Sequence, residues 1–408
     1  MIQALDAEPA CPGPDDAPTE PGTPSTGRLI ALRRPFETID STTWGALADR
    51  NPWSTPFSRW AFQRAWWDAY GANAHEQTLI VVEADRATDP DATIVGIAPL
   101  MHRHEVEPSD EHTRTRMRHA DGAELTPVAP GAKAVFMGAS YHADYATLLA
   151  APSDMAAVAE AVVAALAAPD GGDPNHPKPW DVIDLRRLRY GDPATDELAA
   201  AFGRREMAAG WTVNLEREDV CPVLTLPEPP ATVADLLARL GKKERHEIRR
   251  KLRRAVAAGG AELVDSSDPL ADLDAFIALH QSKWGADGLF PDTAGGAQSR
   301  TFFRRLFELF GPDGELRLGF LTVGGRRVAT GIWFDDGQTI AYYNAGTDPA
   351  ARDLSPGILF IARLAERAMK LGRRRLDFLR GDETYKYEWG AVDEPVQRLL
   401  VRRTGAPA

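Results

Sequence analysis

Three strand-like runs in close succession near the C-terminus constrain this chain more than any other feature. Leu316 to Val323 and Arg327 to Phe334 are joined by Gly324-Gly325, a pair suited to the tight turn that closes a hairpin. Asp336-Gly337 makes another such turn into Thr339 to Ala345, so an antiparallel meander is expected. A helix follows from Pro356 to Leu371, with Pro at its first position and Gly372 just past its end, and then a strand from Arg375 to Leu379. On the helix Ile358, Ile361, Leu364, Ala365, Ala368 and Leu371 share one face and should pack on the sheet, leaving Arg363, Glu366, Arg367 and Lys370 in water.

At 408 residues the chain exceeds one ordinary core, so two domains are expected. Residues 1–27 read as a disordered tail: six prolines among acidic and hydroxyl side chains cannot bury enough apolar surface to offset ordering entropy. An N-terminal domain is expected over 28–206 and a C-terminal domain over 207–408. In the first, Arg28 to Leu32, Leu79 to Ala84, Ile94 to Met101 and Asp181 to Leu185 read as strands, and Met155 to Ala168 as an Ala-rich helix. Ser58 opens a further helix along which Trp60, Phe62, Ala65, Trp66 and Tyr70 recur at helical spacing, and a charged, exposed loop is expected over Arg103 to Arg118.

The two cysteines, Cys11 and Cys221, exclude a disulfide framework and a Cys-rich metal site, and fit a cytoplasmic protein. No apolar run reaches the about 20 residues of a membrane span. The formal charge of -12 argues against a surface that coats nucleic acid. Lys242 to Arg254 runs against that balance, with eight Lys or Arg to two Glu. On a helix Lys242, Arg245, Arg249 and Arg253 take one side, and Leu240, Ile248 and Leu252 form a narrow apolar stripe. Such a face is either solvated or meets an anion: CoA phosphates, an acidic acceptor, anionic lipid or tRNA.

The start of the Pro356 helix is the chemically interesting end. Its free N–H groups and the positive end of the helix dipole suit an anion, Gly357 permits close approach, and Ser355 can cap the helix or offer a hydroxyl. Beyond it, Arg380-Gly381-Asp382-Glu383-Thr384-Tyr385-Lys386-Tyr387-Glu388-Trp389-Gly390 closely resembles the Gly-Asp-x-x-Tyr-Lys-x-x-Trp-Gly signature of bacterial GNAT acetyltransferases of the cellulose-biosynthesis type (BcsL/CelD-like, BioF2-like), relatives of the Fem peptidyltransferases. The resemblance spans Ala231 to Leu400 and includes His280 to Gly285 (HQSKWG). The first half, with Thr55-Pro56-Phe57, Trp66-Trp67 and Gly138 to Tyr145, is similar to the degenerate N-terminal repeat of the Fem architecture.

The resemblance implies an α+β fold of tandem GNAT-like domains, each a mixed, mostly antiparallel twisted sheet flanked by helices. It implies an acyltransferase (EC 2.3.1) that uses acetyl-CoA or another acyl-CoA as co-substrate and needs no metal. Ser355, Pro356, Gly357 and Ile358 would hold the pyrophosphate, and the backbone of Asn344 and Ala345 the pantetheine and thioester. Tyr385 is a candidate acid for the departing thiolate. Asp382 or Glu383 is a candidate base for the amine, Lys386 a candidate for stabilising negative charge, and His280 a second candidate base. Gly285 to Gly296 reads as a loop able to cover the acceptor. The acceptor would be an amine of a small molecule or of a sugar or polysaccharide precursor. Two alternatives stand beside this one: a Fem-like transferase using aminoacyl-tRNA, and a non-catalytic scaffold in envelope or exopolysaccharide synthesis.

Overall fold

The computed structural model describes residues 28–103, 125–129, 131–169, 172–311 and 314–405. The tail 1–27 and the charged segment 104–118 lie outside the described residues. The N-terminal half runs β1 (Leu29–Arg33), α1 (Ser41–Arg50), α2 (Trp60–Tyr70), β2 (Ala74–Glu76), β3 (Leu79–Glu83), β4 (Gly96–Ala98), β5 (Leu100–Arg103), β6 (Ala134–Met137), β7 (Leu149–Ala150), α3 (Met155–Ala167), β8 (Val182–Arg189), α4 (Pro193–Gly203) and α5 (Glu206–Ala209). The C-terminal half runs β9 (Trp211–Thr225), α6 (Val233–Ala238), α7 (Lys242–Ala257), β10 (Ala261–Asp265), α8 (Pro269–Trp284), α9 (Ala294–Phe310), β11 (Leu316–Val323), β12 (Arg326–Asp335), β13 (Thr339–Thr347), α10 (Pro356–Lys370), β14 (Arg375–Asp377), α11 (Thr384–Glu388) and β15 (Val392–Arg403).

The meander forms as expected, β11, β12 and β13 pairing antiparallel in succession. Gly324 and Gly325 both take positive φ, the left-handed geometry that a two-residue hairpin demands. The second turn differs. Asp336, Gly337 and Gln338 all lie between β12 and β13, and the Asp336 carboxylate accepts from the backbone N–H of Gln338 and Thr339, so a side chain closes the turn in place of a two-residue geometry.

These strands belong to one eleven-stranded sheet in the order β10-β11-β12-β13-β14-β9-β15-β8-β6-β5-β2, so the two halves share a sheet; β1, β3, β4 and β7 form a second, four-stranded one. The expected single strand Ile94 to Met101 is in fact two strands in different sheets, β4 in the smaller and β5 in the larger. Pro99 separates them; it has no N–H for a ladder, and its carbonyl accepts from Gly138 N at 2.7 Å.

Helices cover both faces of the C-terminal half. On one side α6, α7 and α10 bury Leu236, Ile248 and Phe360 against Trp333, Trp389 and Leu376. On the other, Phe276 of α8 and Phe302 and Phe303 of α9 pack with Phe57, Phe62 and Trp66 of the first half, so the two halves share an aromatic core. On α10 the buried face runs through Leu359, Phe360, Leu364, Ala365 and Ala368, whereas Leu371, expected inside, is 45% exposed because the helix ends at Lys370 and the chain turns at Gly372 with φ +73°. Helix α9 shortens the expected loop after Trp284. Thr293 accepts from Gly296 N to cap it, Phe290 is fully buried, and the carbonyl of Phe290 accepts from Gln281 and Arg300.

Strand β15 lies between β9 and β8 and pairs antiparallel with both. Its Arg398 and the facing Asp184 of β8 are each 1% exposed at the side chain and joined by two hydrogen bonds of 2.6 and 2.9 Å. Burial would raise the Asp184 carboxyl, but Arg186 and Arg398 hold it below its ordinary range. Arg398 also donates to Glu216 on β9 at 3.0 Å. Arg398→Ala would strip two hydrogen bonds from a buried carboxylate and leave it only Arg186, at 3.1 Å, and a loss of about 2–3 kcal/mol in urea unfolding is expected; a change below 1 kcal/mol would show that the ion pair is not what holds β15.

Candidate active site

Strands β13 and β14 pair in parallel over three residues, Thr339↔Arg375 to Ala341↔Asp377, and then part. A bulge at Tyr343 interrupts the β12–β13 register at the same level, with Ile332 opposite Asn344 and Trp333 opposite Tyr342. From Tyr342 onward β13 therefore has no strand on its second edge. Asn344 and Ala345, the residues expected to meet the thioester arm, lie on this stretch.

Helix α8 crosses β13 at Gly346. A Cβ there would stand 2.4 Å from the backbone N of His280, so only glycine lets the helix come this close. Trp284 Nε1 donates to the Ala345 carbonyl at 3.3 Å and fixes the indole on the strand. His280 is buried beside Phe276 and Phe290, and its Nδ1 has no partner among the described residues. Burial, and then the nearby Lys283 ammonium, push its pKa down to about 4, so the ring is neutral at physiological pH.

The signature segment follows β14. Leu379 at φ +55° and Gly381 at φ +114° fold residues 379–381 so that their three carbonyls converge. The Lys386 ammonium accepts that geometry by donating to all three, at 3.0, 3.0 and 2.8 Å, and it pairs with Glu383 at 2.8 Å. Its side chain is 2% exposed. Its three N–H donors are thus taken, and the residue stakes the loop that carries Glu383. The Glu383 side chain, by contrast, is 49% exposed.

Tyr385 packs edge-on to Phe378 with ring centroids 6.1 Å apart. Burial, with Tyr342 and Glu383 nearby, raises its pKa well above the ordinary phenol value, so it stays protonated. Asp382 is buried, and burial raises its carboxyl. The candidates Tyr385, Lys386 and Asp382 are therefore gathered around Glu383, while His280 lies on α8 beside Lys283. Lys283 joins them: its ammonium lies 4.3 Å from the centroid of the Trp284 ring, within electrostatic reach of both Glu383 and His280. The sequence signal for Lys283 is its position three residues after His280, on the same helix face.

The helix-start candidates stand at the far end of β13. Ser355 takes φ +55°, its carbonyl accepts from Ile358 and Leu359 N–H, and its hydroxyl makes no capping bond, unlike the expected cap. Pro356 is buried, while a Cβ on Gly357 would meet no atom within 4 Å. Arg254 of α7 donates to the Asp353 carbonyl just ahead of this start, which brings the basic helix beside it.

The first half supports the same loop. Tyr145 donates to the buried Asp377 at 2.7 Å, Asp377 accepts from Leu379 N at 2.7 Å, and Arg380 pairs with Asp144 at 3.2 Å.

Residues 242–387 match the family described as Acetyltransferase (GNAT) domain, and this part of the chain has the GNAT fold. Over the whole chain, a crystal structure of FemX aligns with a TM-score of 0.55 at 11% identity, covering 88% of this chain and 96% of that one. L-PGS from Bacillus licheniformis aligns at 0.47 with 9% identity, over 90% and 92% of the two chains. A tandem GNAT protein from the clavulanic acid biosynthesis pathway aligns at 0.42 with 11% identity, over 93% and 99%. At these identities the likeness to FemX is one of fold. No curated protein matches the sequence. Among the described residues no helix is long and apolar enough to cross a membrane, and no group of His, Cys, Asp and Glu could hold a metal ion.

Lys386→Met should remove the donor on which three carbonyls converge and cost on the order of 3 kcal/mol in chemical denaturation. Lys386→Arg, whose planar fork cannot reproduce three converging bonds, should restore less than half of that. A stability unchanged in both variants would remove the loop-staking role.

Proposed function

We propose that this protein is an acyl-CoA-dependent N-acyltransferase. It moves an acyl group, acetyl in the simplest case, directly from the thioester to the amine of a small molecule or of a sugar or polysaccharide precursor. The observation that carries this reading is the parting of β13 from β14, which leaves a free strand edge running from the Glu383 cluster to the open first turn of α10. An extended thioester arm with a diphosphate at one end matches that layout. The diphosphate would take the Gly357 N–H and the helix dipole at Ser355 to Ile358, with the basic α7 alongside, and the pantetheine amides would pair with the backbone of Asn344 and Ala345.

Transfer then requires a neutral amine beside the thioester carbon. Glu383, paired with Lys386 at 2.8 Å, takes the amine proton directly or through one water as the C–N bond forms. As the C–S bond breaks, the thiolate takes the proton of Tyr385, whose raised pKa keeps it supplied. His280, buried behind Phe276 and Phe290, stays neutral. Asp382 adds a second carboxyl beside Glu383 and Lys386. Lys386 acts through Glu383 and through the loop it holds.

One observation favours a second reading. On α7, Lys242, Lys243, Arg249 and Arg253 are exposed and have no carboxylate at ion-pair distance among the described residues. Such a stripe suits a polyanion, as a Fem-like transferase using aminoacyl-tRNA would require.

Calorimetric titration with acetyl-CoA, desulfo-CoA and charged tRNA separates the two. Binding of both CoA species, weakened at least tenfold by Gly357→Asp, is expected; tRNA binding without CoA binding would favour the second reading. In an acyl-transfer assay Glu383→Gln should lower kcat by about 10²–10⁴-fold, with little change in KM for acetyl-CoA. Unchanged function in cells for both Glu383→Gln and Tyr385→Phe would point to the non-catalytic scaffold.

A further inference from the structure

One ammonium near Glu383 has no direct polar partner among the described residues. Two ammonium groups, Lys283 and Lys386, face one exposed carboxylate. Lys386 holds Glu383 at 2.8 Å, while Lys283 has no hydrogen bond or ion pair with any described residue. Arg380 is balanced by Asp144. Among the described residues Lys283 is therefore the ammonium of this cluster that no side chain pairs with directly.

That charge is positioned rather than loose. A surface lysine ordinarily trails into water and samples many rotamers. Lys283 instead lies over the Trp284 ring at 4.3 Å, and the indole is tied by Nε1 to the Ala345 carbonyl at 3.3 Å. Enough protein surrounds the ammonium that burial holds its pKa below the ordinary lysine range, opposed by Glu383, although the residue remains open to solvent. A solvent-open cation with its stem fixed on an aromatic ring, and no ion pair among the described residues, is preorganised for an anion. It lies within electrostatic reach of the carboxylate to which the proposed function gives the amine.

We propose that the acceptor is an amine that also bears an anionic group, a carboxylate or a phosphate, which Lys283 binds while Glu383 receives the amine. This rests on reading the cluster as the acceptor end of an N-acyl transfer site. The class includes amino acids and phosphorylated amino sugars, and it excludes simple alkylamines and neutral amino sugars as preferred acceptors. A neutral acceptor would leave the Lys283 charge uncompensated next to its own developing ammonium, which adds like-charge repulsion to every encounter.

The test compares matched pairs on the full chain with acetyl-CoA: glucosamine 6-phosphate against glucosamine, and β-alanine against β-alanine amide. The anionic member of at least one pair should show a kcat/KM tenfold or more above its neutral partner, and the pair concerned tells phosphate from carboxylate. Lys283→Met should raise KM for that anionic acceptor at least tenfold, leave kcat within about threefold, and change the neutral acceptor's KM by less than twofold. Lys283→Arg should recover most of the loss. Equal use of both members of both pairs, or an equal effect of Lys283→Met on both, overturns the proposal. So does a matching loss of acetyl-CoA affinity in Lys283→Met, which would assign the ammonium to the cofactor. With desulfo-CoA bound and no turnover, calorimetric titration of the same pairs gives a second reading, and binding of the anionic members no tighter than the neutral ones has the same consequence. Failure of the acyl-transfer reading itself would appear separately, as absence of CoA binding.

Discussion

Strand β15 is paired along both of its edges, to β9 of the C-terminal half and to β8 of the N-terminal half, and the position of everything at the candidate site depends on that double pairing. A strand shared by two halves must be correct in register with both, since a slip of one residue turns every side chain to the wrong face. Arg398 enforces the register: it meets Asp184 on one neighbour and Glu216 on the other, and no shifted pairing would satisfy a guanidinium that is 1% exposed. A buried pair of this kind contributes specificity more than net stability, because removing two charges from water costs nearly what their attraction returns.

The consequence reaches the site through a short path. The segment from Phe378 to Ala391 runs directly into β15, and its fold departs from ordinary backbone geometry at Leu379 and Gly381. Three constraints hold it: Lys386 from below, Asp377 from the preceding strand, and the N-terminal half through Tyr145 and Asp144. The first half contributes aromatic packing and two polar ties, and these set where Glu383 stands relative to β13. A half that lies outside the matched domain thus governs the geometry of the candidate site.

The elements read most reliably from sequence were those whose signals are local. The Gly324-Gly325 hairpin, the Pro356 start of α10 and the Ile248 and Leu252 stripe of α7 follow from turn chemistry and periodicity, which depend on neighbours in the chain. The misreadings were of another kind. Ile94 to Met101 is a uniformly apolar run, and only the two sheets it joins reveal that Pro99 is a junction. Leu371 looks like the next member of the buried α10 face but lies one residue past the helix end. Helix α9 was hidden because Gly295 and Gly296 suggest a loop, yet Gly296 is in its first turn, capped by Thr293 and too tightly set against Pro291 for any side chain.

For the site, the sequence by itself determined which residue types are present and roughly where: a carboxylate pair, a tyrosine and a lysine within one short signature, and a histidine and a second lysine on one helix face. It also determined the helix start and the basic helix, since both are written in local pattern. Only the tertiary structure decided their surroundings. Lys386 and Glu383 are three residues apart and equally polar, but three carbonyls converge on the first and none on the second, so one is interior scaffolding and the other faces solvent. Lys283 acquires its meaning from Trp284, Ala345 and Glu383, which approach it from separate parts of the chain. Charge is a property of a residue, but whether that charge is compensated is a property of the space around it, and that space exists only once β13 has parted from β14 and α8 has settled on Gly346.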